Sequence, residues 1–109
     1  MLVLFDHGTP KGLAAALKPH AVVMAKAKGW DGLSNGELLK AAEAAGFDVL
    51  VTTDGQIRYQ QNLTGRTIAL VVLTGTTKWS RIKRHAHRVS AAVDASPQGG
   101  YTEVEIPYV

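Results

Sequence analysis

The chain has 109 residues, of which 46 % are hydrophobic and 19 % are charged, and it contains no cysteine. This balance is typical of one folded domain, here residues 1–109, and the absence of cysteine excludes a disulfide framework and a thiolate-bound zinc ion. No apolar run approaches the ~20 residues needed to cross a bilayer, and the run Leu2–Phe5 is too short for a signal peptide, so we expect a cytoplasmic protein.

The net charge of +3 is unevenly distributed along the chain. Residues 55–93 contain seven Lys or Arg side chains and no Asp or Glu, whereas residues 94–109 contain three acids and no Lys or Arg. A basic stretch without acids can form a positive surface for a polyanion such as RNA. The same pattern is typical of a solvated helix surface, and charge alone favours that simpler interpretation.

Four short apolar runs are spaced along the chain, and each has the pattern of a strand buried on both faces. They are residues 2–5, 22–24, 49–51 and 68–73. A fifth stretch, residues 101–106, alternates apolar and polar side chains, which predicts a half-exposed edge strand that ends before Pro107. The sequence therefore predicts a sheet of about five strands.

Helical patterns fill the segments between these runs. Thr9 and Pro10 predict the N-cap and first position of one helix, and the spacing of Ser34 and Glu37 predicts a capping box that opens a second helix. A long amphipathic helix is predicted over residues 78–93. Its buried stripe would consist of Trp79, Ile82, Ala86, Val89 and Val93. This alternation predicts an α/β fold, a three-layer sandwich with a mostly parallel central sheet and right-handed crossovers.

Acidic side chains follow two of the predicted strands. Asp6 comes directly after the first apolar run, and Asp54 comes after the run at 49–51 and two threonines. Because parallel strands end at the same edge of a sheet, where ligands bind, we expect the two carboxylates to lie close together and to hold a hard cation such as Mg²⁺. Simpler interpretations stay open, since Asp6 can bond neighbouring amides and Asp-Gly is a common turn dipeptide.

Three further features can be attributed to this edge. His7 has a pKa range suited to a general acid or a phosphate contact, although a polar loop residue is the simpler interpretation. Glu37 is a candidate ligand or base on a helix, and the capping box with Ser34 explains it at least as well. The turn at residues 74–78, "TGTTK", could hold a phosphate or supply an ordinary helix cap from its threonines.

Basic side chains share one face of the predicted long helix, away from its buried stripe. They are Lys78, Arg81, Arg84, His85 and Arg88. Phosphate contacts from such a face would attract RNA without reading its sequence. The two tryptophans, Trp30 and Trp79, are assigned to packing rather than to base stacking.

Two segments, "LVLFDHGTPKGLAAAL" at 2–17 and the stretch 32–73 that contains "DVLVTTDG", resemble the PIN-like domains, relatives of the PilT N-terminus nucleases that often occur as toxins of toxin–antitoxin pairs. The resemblance implies a PIN-like fold and a metal-dependent endoribonuclease, a hydrolase of RNA phosphodiesters. Asp6 matches the acid after the first strand, Glu37 the helical acid and Asp54 the acid after "LVTT". These three would bind Mg²⁺ or Mn²⁺ and, with His7, form the catalytic site.

The resemblance also bears on partners. A toxin of this type would act on RNA and pair with an antitoxin protein, without membrane association. Apart from the resemblance, the loop at 29–33, "GWDGL", could flank the site or mediate self-association as a homodimer. His7 and Gln56 stand where related sequences commonly carry further acids. A second interpretation is therefore a PIN-like module that binds RNA or a protein with little or no catalysis. A third, a phosphate-transferring regulator of receiver type, would need a lysine after a late strand, and Lys78 is poorly placed for it.

Overall fold

The computed structural model describes residues 1–57 and 64–108. Within these residues five strands form one sheet, in which every pair is parallel and the order is β2-β1-β3-β4-β5. The strands are β1 Leu2–Phe5, β2 Ala21–Met24, β3 Val49–Thr52, β4 Ala69–Gly75 and β5 Tyr101–Ile106. The predicted α/β class with a parallel sheet of about five strands is confirmed.

Helical segments connect these strands. The bounds are Lys11–Leu17 and Ala25–Lys28 for two 3₁₀ helices, Asn35–Ala44 for α1, Trp79–Arg84 for α2 and Ala86–Ala95 for α3. Across the described ranges, none of the helices combines the length and the apolar character needed to cross a lipid bilayer.

The strands β1, β3 and β4 are apolar on both faces because helices cover both. On the first face, side chains such as Val3 and Phe5 pack against the first 3₁₀ helix, α2 and α3. On the second face, Leu4 and Leu50 pack against the buried side of α1. The helical residues in these two clusters are Leu13, Leu17, Ile82, Val89 and Val93 on the first face and Leu38, Leu39 and Ala42 on the second. The result is a helix–sheet–helix sandwich.

Two of the crossovers have opposite hands. The connections from β1 to β2 and from β4 to β5 both pass over the first face, because their helices share one hydrophobic cluster. They move toward opposite edges of the sheet, so only one of them can be right-handed. The prediction of right-handed crossovers throughout is therefore wrong for one connection.

On the other side of β5, Glu103 and Glu105 are exposed, as predicted for a half-exposed edge strand.

Both ends of α1 are fixed by local hydrogen bonds. The predicted capping box is present: Ser34 Oγ accepts from the Glu37 amide at 3.3 Å, and Glu37 Oε1 accepts from the Ser34 amide at 3.0 Å. At the other end Gly46 adopts a φ of +83°, and the Phe47 amide donates to the Ala42 carbonyl. Since α1 runs antiparallel to the strands, its capped N-terminus lies at their carboxyl edge.

The first predicted helix differs from expectation. Thr9 does not cap it, because its hydroxyl donates to the Val51 carbonyl at 2.9 Å and so ties the loop after β1 to β3. The segment that follows Pro10 is a 3₁₀ helix. A long-range partner therefore replaces the local cap that the Thr-Pro pair predicted.

The helix predicted over residues 78–93 is broken in two. His85, with φ −113° and ψ 18°, separates α2 from α3. Ile82, Val89 and Val93 are buried as predicted, and Ala86 packs against them. Trp79 is 38 % exposed, so its assignment to the buried stripe is wrong. The edge of its indole instead packs against Gly12 of the first 3₁₀ helix.

Candidate functional site

A cleft lies at the point where the strand order changes direction, since β2 is added on one side of β1 and β3 on the other. β1 pairs with both β2 and β3, so the connections from these neighbouring strands diverge above the carboxyl ends of β1 and β3. In doubly wound sheets this switch point is where ligands bind. A cleft of about 240 Å³ lies there, and its polar wall residues are Asp6, His7, Asp31, Asn35, Thr53 and Asp54. The structure thus brings together Asp6, His7 and Asp54, as predicted.

Asp6 is buried, with 8 % of its surface exposed, and both of its carboxylate oxygens accept hydrogen bonds. Oδ1 accepts from the His7 amide at 2.7 Å, and Oδ2 accepts from the Thr52 hydroxyl at 2.7 Å. A buried carboxylate without such donors would be strongly unfavourable. The bond to its neighbour's amide was one of the two interpretations of Asp6, and it coexists here with a position in the cleft wall.

The Thr52 hydroxyl connects the two aspartates. Thr52 ends β3, is fully buried, and donates to Asp6 Oδ2 while it accepts from the Asp54 amide at 3.1 Å. The hydroxyl oxygen of Thr52 therefore bridges the carboxylate of Asp6 and the backbone amide of Asp54 through two hydrogen bonds. This explains why an otherwise apolar strand ends in threonine, since a buried carboxylate on the neighbouring strand needs a donor at this place.

Asp54 is oriented by α1 and by its own turn. Its Oδ2 accepts from Asn35 Nδ2 at 2.8 Å, and its Oδ1 accepts from the Gln56 amide at 2.9 Å. The second bond is an Asx-type turn of the kind that Asp-Gly sequences favour. The capped N-terminus of α1 supplies Asn35, so the helix cap helps to hold a carboxylate at the cleft.

His7 lies in the wall of the cleft, whereas Glu37 is not among the residues that line it. The His7 side chain is 68 % exposed, and its Nδ1 lies 3.0 Å from Asp6 Oδ1. Glu37 is exposed in the first turn of α1, where its carboxylate accepts from the Ser34 amide. The bonds from the Ser34 amide and hydroxyl hold the pKa of Glu37 below its ordinary value. The capping interpretation of Glu37 is therefore correct, and its role as a ligand stays a prediction.

The chemistry of the donor set limits what kind of ion could fit. Among the described residues, no three or more His, Cys, Asp or Glu side chains are grouped so that they could hold one metal ion. Mg²⁺ is commonly bound by one or two carboxylates and keeps several waters. Both oxygens of Asp54 and Oδ2 of Asp6 accept one bond each within the described chain, which leaves each a lone pair. Three carboxylate oxygens in the cleft wall therefore keep the acceptor capacity that a hydrated hard cation requires.

A larger cavity of about 420 Å³ lies at the opposite edge of the sheet. The two carboxylates in its wall, Glu43 and Asp48, both accept hydrogen bonds from neighbouring residues. Glu43 accepts from Arg66 Nη1 at 2.7 Å and from the Thr67 amide at 2.7 Å. Burial raises the pKa of Glu43, but the bonds from Arg66, Thr67 and Ile68 outweigh it and hold the pKa below its ordinary value. Asp48 accepts from the Leu2 amide. The carboxyl-edge cleft is therefore the better candidate.

The predicted basic face is divided by the break at His85. Arg81 and Arg84 lie on α2, with Lys78 just before it, whereas Arg88 lies on α3 and donates to the Glu105 carbonyl at 3.3 Å. Because Lys78 follows the carboxyl end of β4 by three residues, it lies near the same edge of the sheet as the cleft, and Arg81 and Arg84 follow along α2. The "TGTTK" turn also lies there, and Thr76 Oγ1 accepts from the Lys78 amide without capping α2.

His85 should make folding sensitive to acid. Its Nδ1 is buried and accepts or donates no hydrogen bond among the described residues. Loss of hydration, followed by the nearby charges of Arg88, His87 and Arg84, lowers the pKa of His85 below 6.5. The unfolded chain then binds more protons, so stability present above pH 6.5 is lost as the pH falls through 6.5 toward the folded-state pKa. Urea unfolding at pH 7.5 and 5.5 should show a larger loss for the wild type than for His85→Gln, and equal losses would contradict this.

The two residues that orient the aspartates were not predicted to do so. Thr52 and Asn35 hold the aspartates, and each had a weak signal in the sequence. A hydroxyl at the end of a strand buried on both faces requires a partner, and an Asn directly after a predicted N-cap lies at the carboxyl edge. Neither signal identifies the carboxylate to which the side chain donates a hydrogen bond.

The fold and the cleft define a doubly wound α/β protein with two linked aspartates at its switch point. Comparisons with protein-family models, with curated proteins and with solved structures found no significant match. The PIN-like resemblance therefore stays a prediction that depends on the motif residues, and part of its second segment, residues 58–63, lies outside the described residues.

Proposed function

We propose that the protein is a ribonuclease that depends on Mg²⁺ or Mn²⁺ and hydrolyses RNA phosphodiesters. Asp6 and Asp54 would be the principal metal ligands. The observation that supports this most is the connection of the two aspartates through the Thr52 hydroxyl in the wall of the switch-point cleft. The wall of the cleft thus contains both of these carboxylates, and a cation shared by them would offset their mutual repulsion.

The roles of the chain's own residues follow from their contacts. When bound, the cation would neutralise charge on the phosphate and lower the pKa of a coordinated water. Thr52 and Asn35 keep the carboxylates oriented. With Nδ1 of His7 next to Asp6, its Nε2 is the nitrogen left to give a proton to the departing oxygen. Glu37 would assist as a ligand or base only after its carboxylate leaves the capping box.

The biological setting is part of the same proposal. The resemblance to toxin-type nucleases supports an antitoxin protein as partner and a cytoplasmic location, where RNA substrates are abundant. The exposed cations Lys78 and Arg84 would attract the RNA to the cleft edge through its phosphates. A homodimer through the loop at 29–33 belongs to this proposal as well.

A second candidate function is an RNA-binding or partner-binding module without chemistry. The observation that favours it is that no three metal-ligating side chains are grouped among the described residues. Such a module would use the basic side chains of α2 and would not need the cation. Cleavage of RNA distinguishes the two functions.

Divalent metal should stabilise the wild-type protein. At a concentration 100 times the dissociation constant, Mn²⁺ or Mg²⁺ would add about 2.7 kcal/mol to the free energy of unfolding. For a chain of this size the melting temperature would rise by roughly 10–20 °C. Asp6→Asn and Asp54→Asn should abolish the rise, because each removes one of two charged ligands.

Asp48→Asn is the matched control, since Asp48 lies at the opposite edge of the sheet and should leave the metal effect unchanged. A labelled single-stranded RNA incubated with the same proteins reports cleavage. A metal-dependent rise in melting temperature without cleavage would favour the binding module. Absence of the rise in the wild type would overturn the metal site.

A further inference from the structure

Thr52 and Thr53 are adjacent, but their hydroxyl groups have different surroundings. Thr52 is fully buried, and its hydroxyl bridges Asp6 and Asp54. Thr53 is half-buried and lies in the wall of the cleft. Within residues 1–57 and 64–108, its hydroxyl forms no hydrogen bond. A hydroxyl has one donor and two acceptor sites, so the cleft wall contains a hydrogen-bonding group that the described chain does not use.

The Thr53 hydroxyl lies directly against Gly8. A Cβ atom at Gly8 would be only 2.6 Å from Thr53 Oγ1, which is closer than it could approach without a shift of its neighbours. The missing side chain of glycine therefore leaves the room that the hydroxyl occupies. Gly8 follows Asp6 by two residues in the loop after β1, and Thr53 directly precedes Asp54. The contact thus joins the two loops that carry the aspartates.

A hydrated cation in this cleft would need partners beyond its two carboxylate ligands. Mg²⁺ keeps several of its waters when one or two carboxylates bind it. Such waters are held by hydrogen bonds to polar groups of the site wall. In the described part of the chain no group of three or more His, Cys, Asp or Glu side chains is placed to hold the ion. The Thr53 hydroxyl is an uncharged acceptor, and its contact with Gly8 places it between the loops of the two ligands.

We propose that the Thr53 hydroxyl, held against Gly8, accepts a hydrogen bond from the hydration shell of the cation and so orients the ion between Asp6 and Asp54. This inference rests on the proposed function and deepens it, because it adds a positioning residue to the metal site. A direct bond to the ion is not required, since a neutral hydroxyl lacks the charge of a strong Mg²⁺ ligand. The simpler alternative is a hydroxyl that bonds only to bulk water.

Replacement of Thr53 by valine separates these alternatives. Valine keeps the branched shape and removes the hydroxyl, and no hydrogen bond within the described residues is lost. The melting temperature without metal should therefore stay within about 3 °C of the wild type. The dissociation constant for Mn²⁺, measured from the EPR signal of the free ion, should rise about three- to tenfold, the range for one lost hydrogen bond. Thr53→Ser keeps the hydroxyl and should bind Mn²⁺ nearly as tightly as the wild type.

The position of the hydroxyl is tested at Gly8. Gly8→Ala puts a methyl group against Thr53 Oγ1 and should displace it, so the affinity for Mn²⁺ should fall by a similar factor. The Cβ atom of Thr53 lies 4.0 Å from the same Cβ position, an ordinary contact. In a Thr53→Ala background, Gly8→Ala should therefore cause little further loss. Losses of affinity that add up in the double variant would show that the two residues act separately and would contradict the proposal.

Thr102→Val is the matched control, because Thr102 is a half-buried threonine of β5 that does not line the cleft. It should change neither the affinity for Mn²⁺ nor the melting temperature without metal. A loss of affinity in Thr53→Val that is accompanied by a large fall of the metal-free melting temperature would overturn the proposal, because damage to the fold would then be the cause.

An unchanged Mn²⁺ affinity of Thr53→Val would also overturn this inference and would indicate a hydroxyl bonded only to bulk water. The wild-type titration would then still support the metal site. A wild type that does not bind Mn²⁺ would overturn the metal site itself and this inference with it. A failure of the metal site and a failure of the role of Thr53 are therefore distinguishable.

Discussion

Replacement of Gly75 by alanine should destabilise the protein by at least about 3 kcal/mol, a large part of the ~5–15 kcal/mol that folds a typical domain. Gly75 has a φ of +81°, and a Cβ atom there would lie 2.2 Å from the Ile106 carbonyl oxygen. That oxygen cannot retreat easily, because it accepts from the Thr76 amide at 3.1 Å within the β4–β5 pairing. The melting temperature should fall by roughly 12–24 °C.

Substitutions at two other glycines distinguish the two causes of this loss, the positive φ and the steric clash. Gly29 also has a positive φ, of +75°, but nothing lies near its Cβ position, so Gly29→Ala should cost only about 1 kcal/mol. Gly32 has open space and no positive φ, and Gly32→Ala should be nearly neutral. If Gly75→Ala loses no more stability than Gly29→Ala, the close approach of β4 and β5 at Ile106 is not present.

Replacement of Thr52 by valine should cost about 1–3 kcal/mol although the two side chains have nearly the same shape. The change removes the donor to Asp6 Oδ2 and the acceptor for the Asp54 amide, so two partners lose a bond at a buried position. It should also weaken the metal-dependent rise in melting temperature, because the Asp6 carboxylate loses a donor that orients it and the Asp54 amide loses its acceptor.

Urea unfolding with and without Mn²⁺ measures both effects of Thr52→Val. Thr52→Ser keeps the hydroxyl and should retain most of the metal effect, while it loses some stability from the missing methyl group. A valine variant that is as stable as the wild type, with an intact metal effect, would show that the hydroxyl is not the connection between the two aspartates.

The sequence predicts the sheet well because strands buried on both faces must be continuously apolar. That requirement locates β1, β3 and β4 within one or two residues of their observed ends. The position of β2 is also predicted, but its burial on both faces is wrong, because β2 is an edge strand whose residues are exposed or half-buried. Parallel strands also end at one edge, which is why the positions of Asp6 and Asp54 at one cleft could be predicted without knowledge of the strand order.

The remaining details depend on contacts between distant segments. The residues around His85 are compatible with a continuous helix, and local propensity does not reveal the break. Periodicity assigns Trp79 to the apolar side of its helix, but it does not show that more than a third of the residue stays exposed. The hydroxyl of Thr9 is able to cap the following helix or to donate to the distant Val51 carbonyl. The local sequence does not decide between these two bonds, and in the folded chain the second one forms.

The edge position of β5 has a consequence for solubility. Residues 69–73 of β4 are all buried, and β5 is the strand that occupies their outer hydrogen-bonding groups. A chain truncated before residue 101 would present β4 as a bare apolar template to which other copies could add strands, and so would tend to aggregate. In the intact protein the outermost strand instead carries the charges of Glu103 and Glu105, which discourage such addition.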